Sequence, residues 1–144
     1  MNSAMDWRGH IEAGQKFLRT ALNGRLRKPV FTNELIFQIT MMAIENFLVG
    51  IWQYHRHMPT DHTLSGLVNG LKDLCPVDGH LAAAITELEL DENMCSLIPM
   101  PPPVFDDNKI NAVTAIGRDL AHFVQSRLTS KTGKMARLSQ TPSL

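Results

Sequence analysis

Cysteine is scarce in this chain, and neither cysteine belongs to a recognisable metal or redox motif. Cys75 and Cys95 are the 2 cysteines among 144 residues. They lie far apart, without a CxxC spacing or a Cys/His spacing suited to zinc. The N-terminus also lacks the apolar core of a secretory signal. We therefore expect a reduced, cytoplasmic protein that needs neither a disulfide nor a metal to fold.

Excess charge of one sign is absent as well. Lys plus Arg and Asp plus Glu number 14 each, so the formal net charge is zero. Such a molecule has no overall field to attract nucleic acid or an anionic membrane, and any such binding must be local. Two local clusters of basic residues are present: Arg25, Arg27 and Lys28, and Arg127, Lys131, Lys134 and Arg137. Each is either a phosphate contact or ordinary solvated surface.

Several familiar catalytic motifs are also missing. The sequence contains no glycine-rich phosphate loop, no GxSxG elbow and no metal signature, which argues against the common small-molecule enzymes. No segment alternates apolar and β-branched residues with polar ones, and no internal repeat is present. A β fold and a repeat array are therefore disfavoured, and the length suits one domain with its own core.

Apolar residues recur instead at helical spacing. The predicted helices cover about 3–23, about 33–55, about 62–74, a shorter helix from Asp78 through Leu88, and Asp106 or Asp107 to about Leu128. Thr32 or Asn33 is expected to cap the second helix, and Thr60 or Asp61 the third. Prolines predict an irregular segment from Asn93 to Asp107. The pattern predicts an all-α, antiparallel four- to five-helix up-and-down bundle over 1–128, followed by a flexible tail over 129–144.

The second predicted helix contains the most apolar stretch of the chain, Leu35 to Trp52. Polar residues within it would be costly in lipid, so we expect a buried helix and no membrane span. Its polar residues Gln38, Glu45, Asn46 and Gln53 fall near one strip of the helix surface. Glu45 and Asn46 are therefore candidates for a polar cleft, or simply for a solvated strip on the central helix.

Part of the chain resembles a known family. It reads Asn33-Glu-Leu-Ile-Phe-Gln-Ile-Thr-Met-Met-Ala-Ile-Glu-Asn-Phe-Leu-Val49, then a turn with Pro59, then His62-Thr-Leu-Ser-Gly-Leu67. This is similar to the HEPN family, whose members carry an Ala-x-Glu-Lys core on a long helix, a Pro-containing turn and a His-x-Leu-x-x-Leu helix start. Asn46 stands where the family usually has lysine.

The resemblance implies a helical bundle that dimerises. The family includes metal-independent RNases, often toxins of toxin–antitoxin pairs, as well as partners of nucleotidyltransferases and members without known activity. Its RNase branch carries an Arg followed after four to six residues by a His, which Arg56 and His62 match. The resemblance thus makes Arg56 and His62 candidate catalytic residues without cofactor or metal. A homodimer, a nucleotidyltransferase, and RNA or a nucleotide are its implied partners.

Metal-free RNA cleavage needs a cation for the phosphorane and groups that move protons. Arg56 would supply the cation. His62, expected in the first turn of a helix, would be favoured as a neutral base by the helix dipole. One His per chain fills one of two proton-transfer roles, so a two-fold dimer would be needed for both. The alternative is that His62 caps and packs the turn while Arg56 points into solvent.

Other polar residues lie close to this pair in the sequence. His57 and Tyr54 are the candidate substrate-binding residues beside it, together with Glu45 and Asn46. The neighbouring histidines also raise a metal hypothesis, but their spacing crosses a helix break and favours no metal. Two functions therefore compete: a HEPN-type RNase or nucleotide-binding partner of a nucleotidyltransferase, and a non-catalytic helical dimer or interaction module.

Overall fold

The helical prediction is confirmed by the computed structural model, which describes residues 6–27, 30–97 and 105–129, without the side chains of 90–97 and 129. The elements are α1 (Trp7–Gly24), α2 (Asn33–Tyr54), α3 (Leu64–Gly70) continued by a 3-10 turn (Leu71–Asp73), α4 (Gly79–Leu97), and α5 (Asp107–Val124) continued by a π turn (Gln125–Thr129). Within these ranges there is no strand. The fold is an all-α bundle.

Polar side chains at the helix starts explain most of these boundaries. Asp6 caps α1, Thr32 caps α2 and Asp106 caps α5, each accepting a hydrogen bond from the backbone N–H three residues ahead. Asp78 accepts hydrogen bonds from the first backbone N–H groups of α4 in the same way. These bonds satisfy donors that have no partner within the helix.

The predicted cap of α3 was wrong. The cap is Thr63, whose hydroxyl accepts a hydrogen bond from Gly66 N at 3.1 Å. Asp61 cannot fill this role because its Oδ1 is held by Thr63, through the backbone N–H at 2.9 Å and the hydroxyl at 2.7 Å. Thr60 lies farther out in the turn. His62 consequently precedes the cap and is not in the first turn of the helix.

The fourth helix is longer than predicted. The expected irregular segment begins at Asn93, but α4 continues to Leu97 over 19 residues. The physical reason is that no proline or glycine interrupts the chain between His80 and Leu97. Pro99 and Pro101 to Pro103 lie outside the described residues, as does the predicted tail beyond residue 129. The first helix begins at Trp7, later than the predicted start near Ser3, because Asp6 is extended and caps it.

The central element of the bundle is α2, which has 22 residues. It packs against α1, α3 and α5. Its fully buried side chains include those of Ile36, Phe37, Ile44, Phe47, Leu48 and Ile51. Among the described helices, α2 is long and apolar enough to cross a membrane. Its burial among its neighbours is instead what the core helix of a soluble bundle requires.

Glycine allows α1 to approach α2 closely. A Cβ added to Gly14 would lie 2.8 Å from two ring carbons of Phe47, closer than real Cβ contacts come. Phe47 is fully buried, so its ring has little room to move. The packing of α1 on α2 therefore depends on the absence of a side chain at this position.

We expect Gly14→Ala to destabilise the protein by about 1–3 kcal/mol, because overpacking against Phe47 outweighs the better helix propensity of alanine. Gly79→Ala is the matched control, since nothing lies within 4 Å of a Cβ added there. Urea unfolding of both variants provides the measurement. If Gly14→Ala and Gly79→Ala have equal free energies of unfolding, α1 and α2 can move apart at little cost, and the prediction is wrong.

Candidate functional site

The turn between α2 and α3 carries the predicted catalytic pair. It begins with a helix-ending motif in which Arg56 N donates to Gln53 O at 2.9 Å and His57 N donates to Trp52 O at 3.0 Å. This pairing places Arg56 in the left-handed region, with φ of 62°. Glycine usually occupies that position because a side chain is strained there. The side chains of Arg56 and His57 are exposed.

His62, at the other end of the turn, lies beside a carboxylate of α2. Its Nδ1 is 3.8 Å from Oε2 of Glu45, and the two side chains are 57% and 49% exposed. The contact is an ion pair when the imidazole is protonated. The predicted residues His62 and Glu45 are therefore brought together, although they are distant in the sequence.

These two residues open onto a small cavity that we call the His62 cleft, of about 140 Å³. Its described lining comes from α2, the start of α3 and α4: Gln38, Met41, Met42, Glu45, His62, Thr63, Leu64 and Glu89. Arg56 is not among them. Within one chain, the predicted cation therefore does not line the same cavity as the predicted base.

The backbone N–H groups of Ser65 and Gly66, at the N-terminus of α3, are bonded within the protein itself. Glu89 of α4 accepts a hydrogen bond from Ser65 N at 2.7 Å. Thr63 and Asp61 accept the neighbouring donors described above. The hydrogen bonds from the backbone N–H and hydroxyl of Thr63 lower the pKa of Asp61 below its ordinary value. The backbone groups that would bind a phosphate at this end are thus occupied by carboxylates and a hydroxyl.

The charge of the His62 cleft is therefore acidic. Glu45 and Glu89 line the cleft, and its described lining contains no Lys or Arg. Asp61 is the residue just before His62 in the sequence. Carboxylates that line a cleft repel a phosphate in it and attract an ammonium or guanidinium group. The cleft suits a cationic group of a partner better than RNA.

The remaining predicted residues lie on another side of α2. The ring of Tyr54 packs edge-on against Trp7 of α1, with centroids 5.0 Å apart. Asn46 donates to Met42 O at 2.9 Å, and its side-chain oxygen lies 3.1 Å from Nδ1 of His10. Both residues therefore contact α1, whereas their neighbour Glu45 faces the cleft. Glu45 and Asn46 do not line one polar surface together.

The basic clusters divide in a similar way. Arg25 reaches α5, where its guanidinium donates to Thr114 at 3.2 Å and to Asn111. Arg27 is exposed. Lys28, Lys131, Lys134 and Arg137 lie outside the described residues. In the part of the chain that is described, no group of three His, Cys, Asp or Glu side chains is arranged to hold a metal ion.

A second and larger groove lies between α4 and α5, with a volume of about 460 Å³. It brings His80, Asp119, His122, Phe123 and Arg127 together, with the Arg127 guanidinium 5.1 Å from the centre of the Phe123 ring. His80 is distant in the sequence from the other four residues, which all lie between 119 and 127. Only the antiparallel packing of the two helices assembles them.

We expect Arg56→Gly to raise the free energy of unfolding by about 0.5–1 kcal/mol, because glycine accepts the positive φ without a Cβ clash. The control is Arg19→Gly, which replaces an exposed arginine inside α1. That change should cost about 1 kcal/mol. Chemical denaturation measures both. A loss of stability in Arg56→Gly would show that the guanidinium contributes to folding.

Thr63→Val should raise the pKa of Asp61 part of the way to its ordinary value, because the hydroxyl donor is lost and the backbone donor remains. A depressed folded pKa adds stability above the unfolded pKa of about 3.9, and this contribution is lost as the pH falls through the folded value. The variant should therefore lose less stability than the wild-type protein when the pH is lowered. At every pH it should also be about 1 kcal/mol less stable, because the cap of α3 is missing.

Carbon-detected NMR titration of the Asp61 carboxyl, with unfolding measured from pH 7 to pH 3, tests this expectation. Thr20→Val is the control, because the Thr20 hydroxyl bonds to Lys16 O within α1. An unshifted Asp61 in the wild-type protein would refute the assignment of these hydrogen bonds.

Comparison with protein families, with curated proteins and with solved structures gave no match. The chemistry open to His62, Glu45 and Arg56 therefore follows from their own geometry. That geometry places an imidazole beside a carboxylate in an acidic cleft, with the guanidinium of the same turn outside it.

Proposed function

We propose that this chain is a HEPN-like, self-associating helical module of the cytoplasm that binds protein and does not cleave RNA. The observation that carries the proposal is the acidic His62 cleft, whose described lining has two carboxylates and no Lys or Arg. A nuclease centre that stabilises a negative phosphorane needs the opposite charge. A carboxylate-lined cleft over apolar side chains is suited to a protein surface carrying cations.

The positions of the other predicted residues support the same function. The Tyr54 ring packs against Trp7 of α1, and the Asn46 side chain lies at hydrogen-bonding distance from His10 of α1, so both contribute to the packing of α1 on α2. Met42 and Leu35 are large apolar side chains of α2 that remain 46% and 43% exposed. Exposed apolar residues beside charged ones are typical of a surface that a partner covers.

A second candidate function is the metal-independent RNase, alone or as partner of a nucleotidyltransferase. The observation in its favour is the strained backbone of Arg56, since residues in sparsely populated conformations cluster at functional sites. The carboxylate of Glu45 beside His62 would also orient an imidazole that acts as a base. In this candidate the arginine facing His62 comes from a second chain.

Two measurements on the purified protein separate the candidates. Sedimentation over a range of concentrations should show a dimer, and incubation with RNA in EDTA should yield no cleavage. Cleavage that leaves cyclic phosphate ends and is lost in both Arg56→Gly and His62→Ala would refute the non-catalytic proposal. Arg56→Gly is informative here because it removes the guanidinium while relieving backbone strain. Arg118→Gly, at an exposed position of α5, controls for the loss of an arginine.

A further inference from the structure

The exposed side chains of α2 all lie on one strip of its surface. We call this the α2 strip: Glu34, Leu35, Gln38, Met42 and Glu45. At 100° per residue they span an arc of about 100°. From Leu35 to Glu45 the spacing is three, four and three residues, which is the spacing by which two helices pair along a seam.

The α2 strip ends at two surfaces of opposite chemistry. At the end near Glu45 it meets the acidic His62 cleft, which has Met41, Met42 and Leu64 among its lining residues. At its start it follows residues 25–27 and 30–32, which we call the basic connector. The basic connector carries Arg25 and Arg27 and contains no Asp or Glu.

The basic connector also presents apolar side chains to solvent. Leu26 is 85% exposed and Val30 is 71% exposed, the two highest values among the large apolar residues described. Arg25 is turned toward α5 by its bonds to Asn111 and Thr114, whereas Arg27 is exposed. Arg27 is therefore a cation flanked by exposed apolar groups. The His62 cleft offers carboxylates flanked by apolar groups.

We propose that a second copy of this chain covers the α2 strip, with the two α2 helices antiparallel about a two-fold axis near Gln38. The inference rests on the self-association proposed above and assigns the surface that mediates it. A two-fold axis uses the same surface twice, so each basic connector meets the His62 cleft of the other chain. Both ends of the strip are then neutralised in one closed dimer.

The register follows from the spacing. Leu35, three residues before the axis, lies opposite Met42 of the second copy, four residues after it. In the same register Glu45 of one chain lies opposite Thr32 of the other, the cap residue at the end of the basic connector. At a rise of about 1.5 Å per residue both lie about 10 Å from the axis. Arg27 is an exposed cation of that connector, and we assign it as the partner of Glu45 in the other chain.

A charge exchange tests this pairing by sedimentation equilibrium. Arg27→Glu and Glu45→Arg should each raise the dimer Kd on the order of tenfold, because every dimer contains the contact twice. The double variant should return the Kd to within about threefold of the wild-type value. Arg118→Glu and Glu12→Arg, at exposed positions on α5 and α1, make the same charge changes away from the strip and should leave the Kd unchanged.

A second measurement does not depend on charge reversal. In the Arg27→Lys variant, carbodiimide coupling should join the introduced amine of one chain to Glu45 of the other, and mass spectrometry of the dimer band would identify the linked peptides. If the wild-type protein dimerises but the single variants leave its dimer Kd unchanged, or the double variant does not restore the Kd, the assigned interface is wrong. The proposed self-association would still stand in that case. A wild-type monomer at all concentrations overturns both.

Discussion

The burial of α2 on every side but one is the constraint from which the rest of the structure follows. Large apolar side chains occupy most of its circumference, so α1, α3 and α5 must all pack against it. Gly14 permits a close approach of α1, against Phe47. Thr40, the buried polar residue on this helix, bonds to the backbone carbonyl of Ile36 at 2.8 Å, which removes the cost of burying its hydroxyl. What remains exposed is the α2 strip, and both the cleft and the proposed interface lie along it.

The same packing determines the charge of the candidate site. Because α3 is short and starts beside α2, its cap region meets Glu45 of α2 on one side and Glu89 of α4 on the other. Glu89 accepts a backbone N–H of α3, and Asp61 accepts both donors of Thr63. The start of an isolated helix attracts a phosphate, but here the carboxylates of Asp61 and Glu89 make the start of α3 acidic. The proposed protein-binding function rests on this acidic charge.

The turn between α2 and α3 carries both Arg56 and His62, but only His62 lines the cleft. Arg56 occupies a position where glycine is preferred, and its exposed side chain is not part of the lining of the cleft that contains His62. Proximity in sequence therefore does not place the two side chains in one cavity. In the proposed dimer the arginine against the cleft is Arg27 of the second chain, because the apolar side chains around it match those around the carboxylates.

The sequence by itself determined the helical class, most helix starts and the central position of α2, because caps, breakers and apolar periodicity act within a few residues. It misplaced the cap of α3, since Asp61 and Thr63 are both suitable and only their mutual hydrogen bonds decide between them. It ended α4 too early, since a proline restricts mainly the residue just before it, and the first proline after α4 is Pro99. Tertiary structure alone decided that Glu45 faces His62 while adjacent Asn46 faces His10, because the partners come from the α2–α3 turn and from α1, and the packing of the bundle determines which face of α2 each one meets. It alone brought Glu89 to the start of α3, because that contact spans 24 residues and depends on how α4 packs.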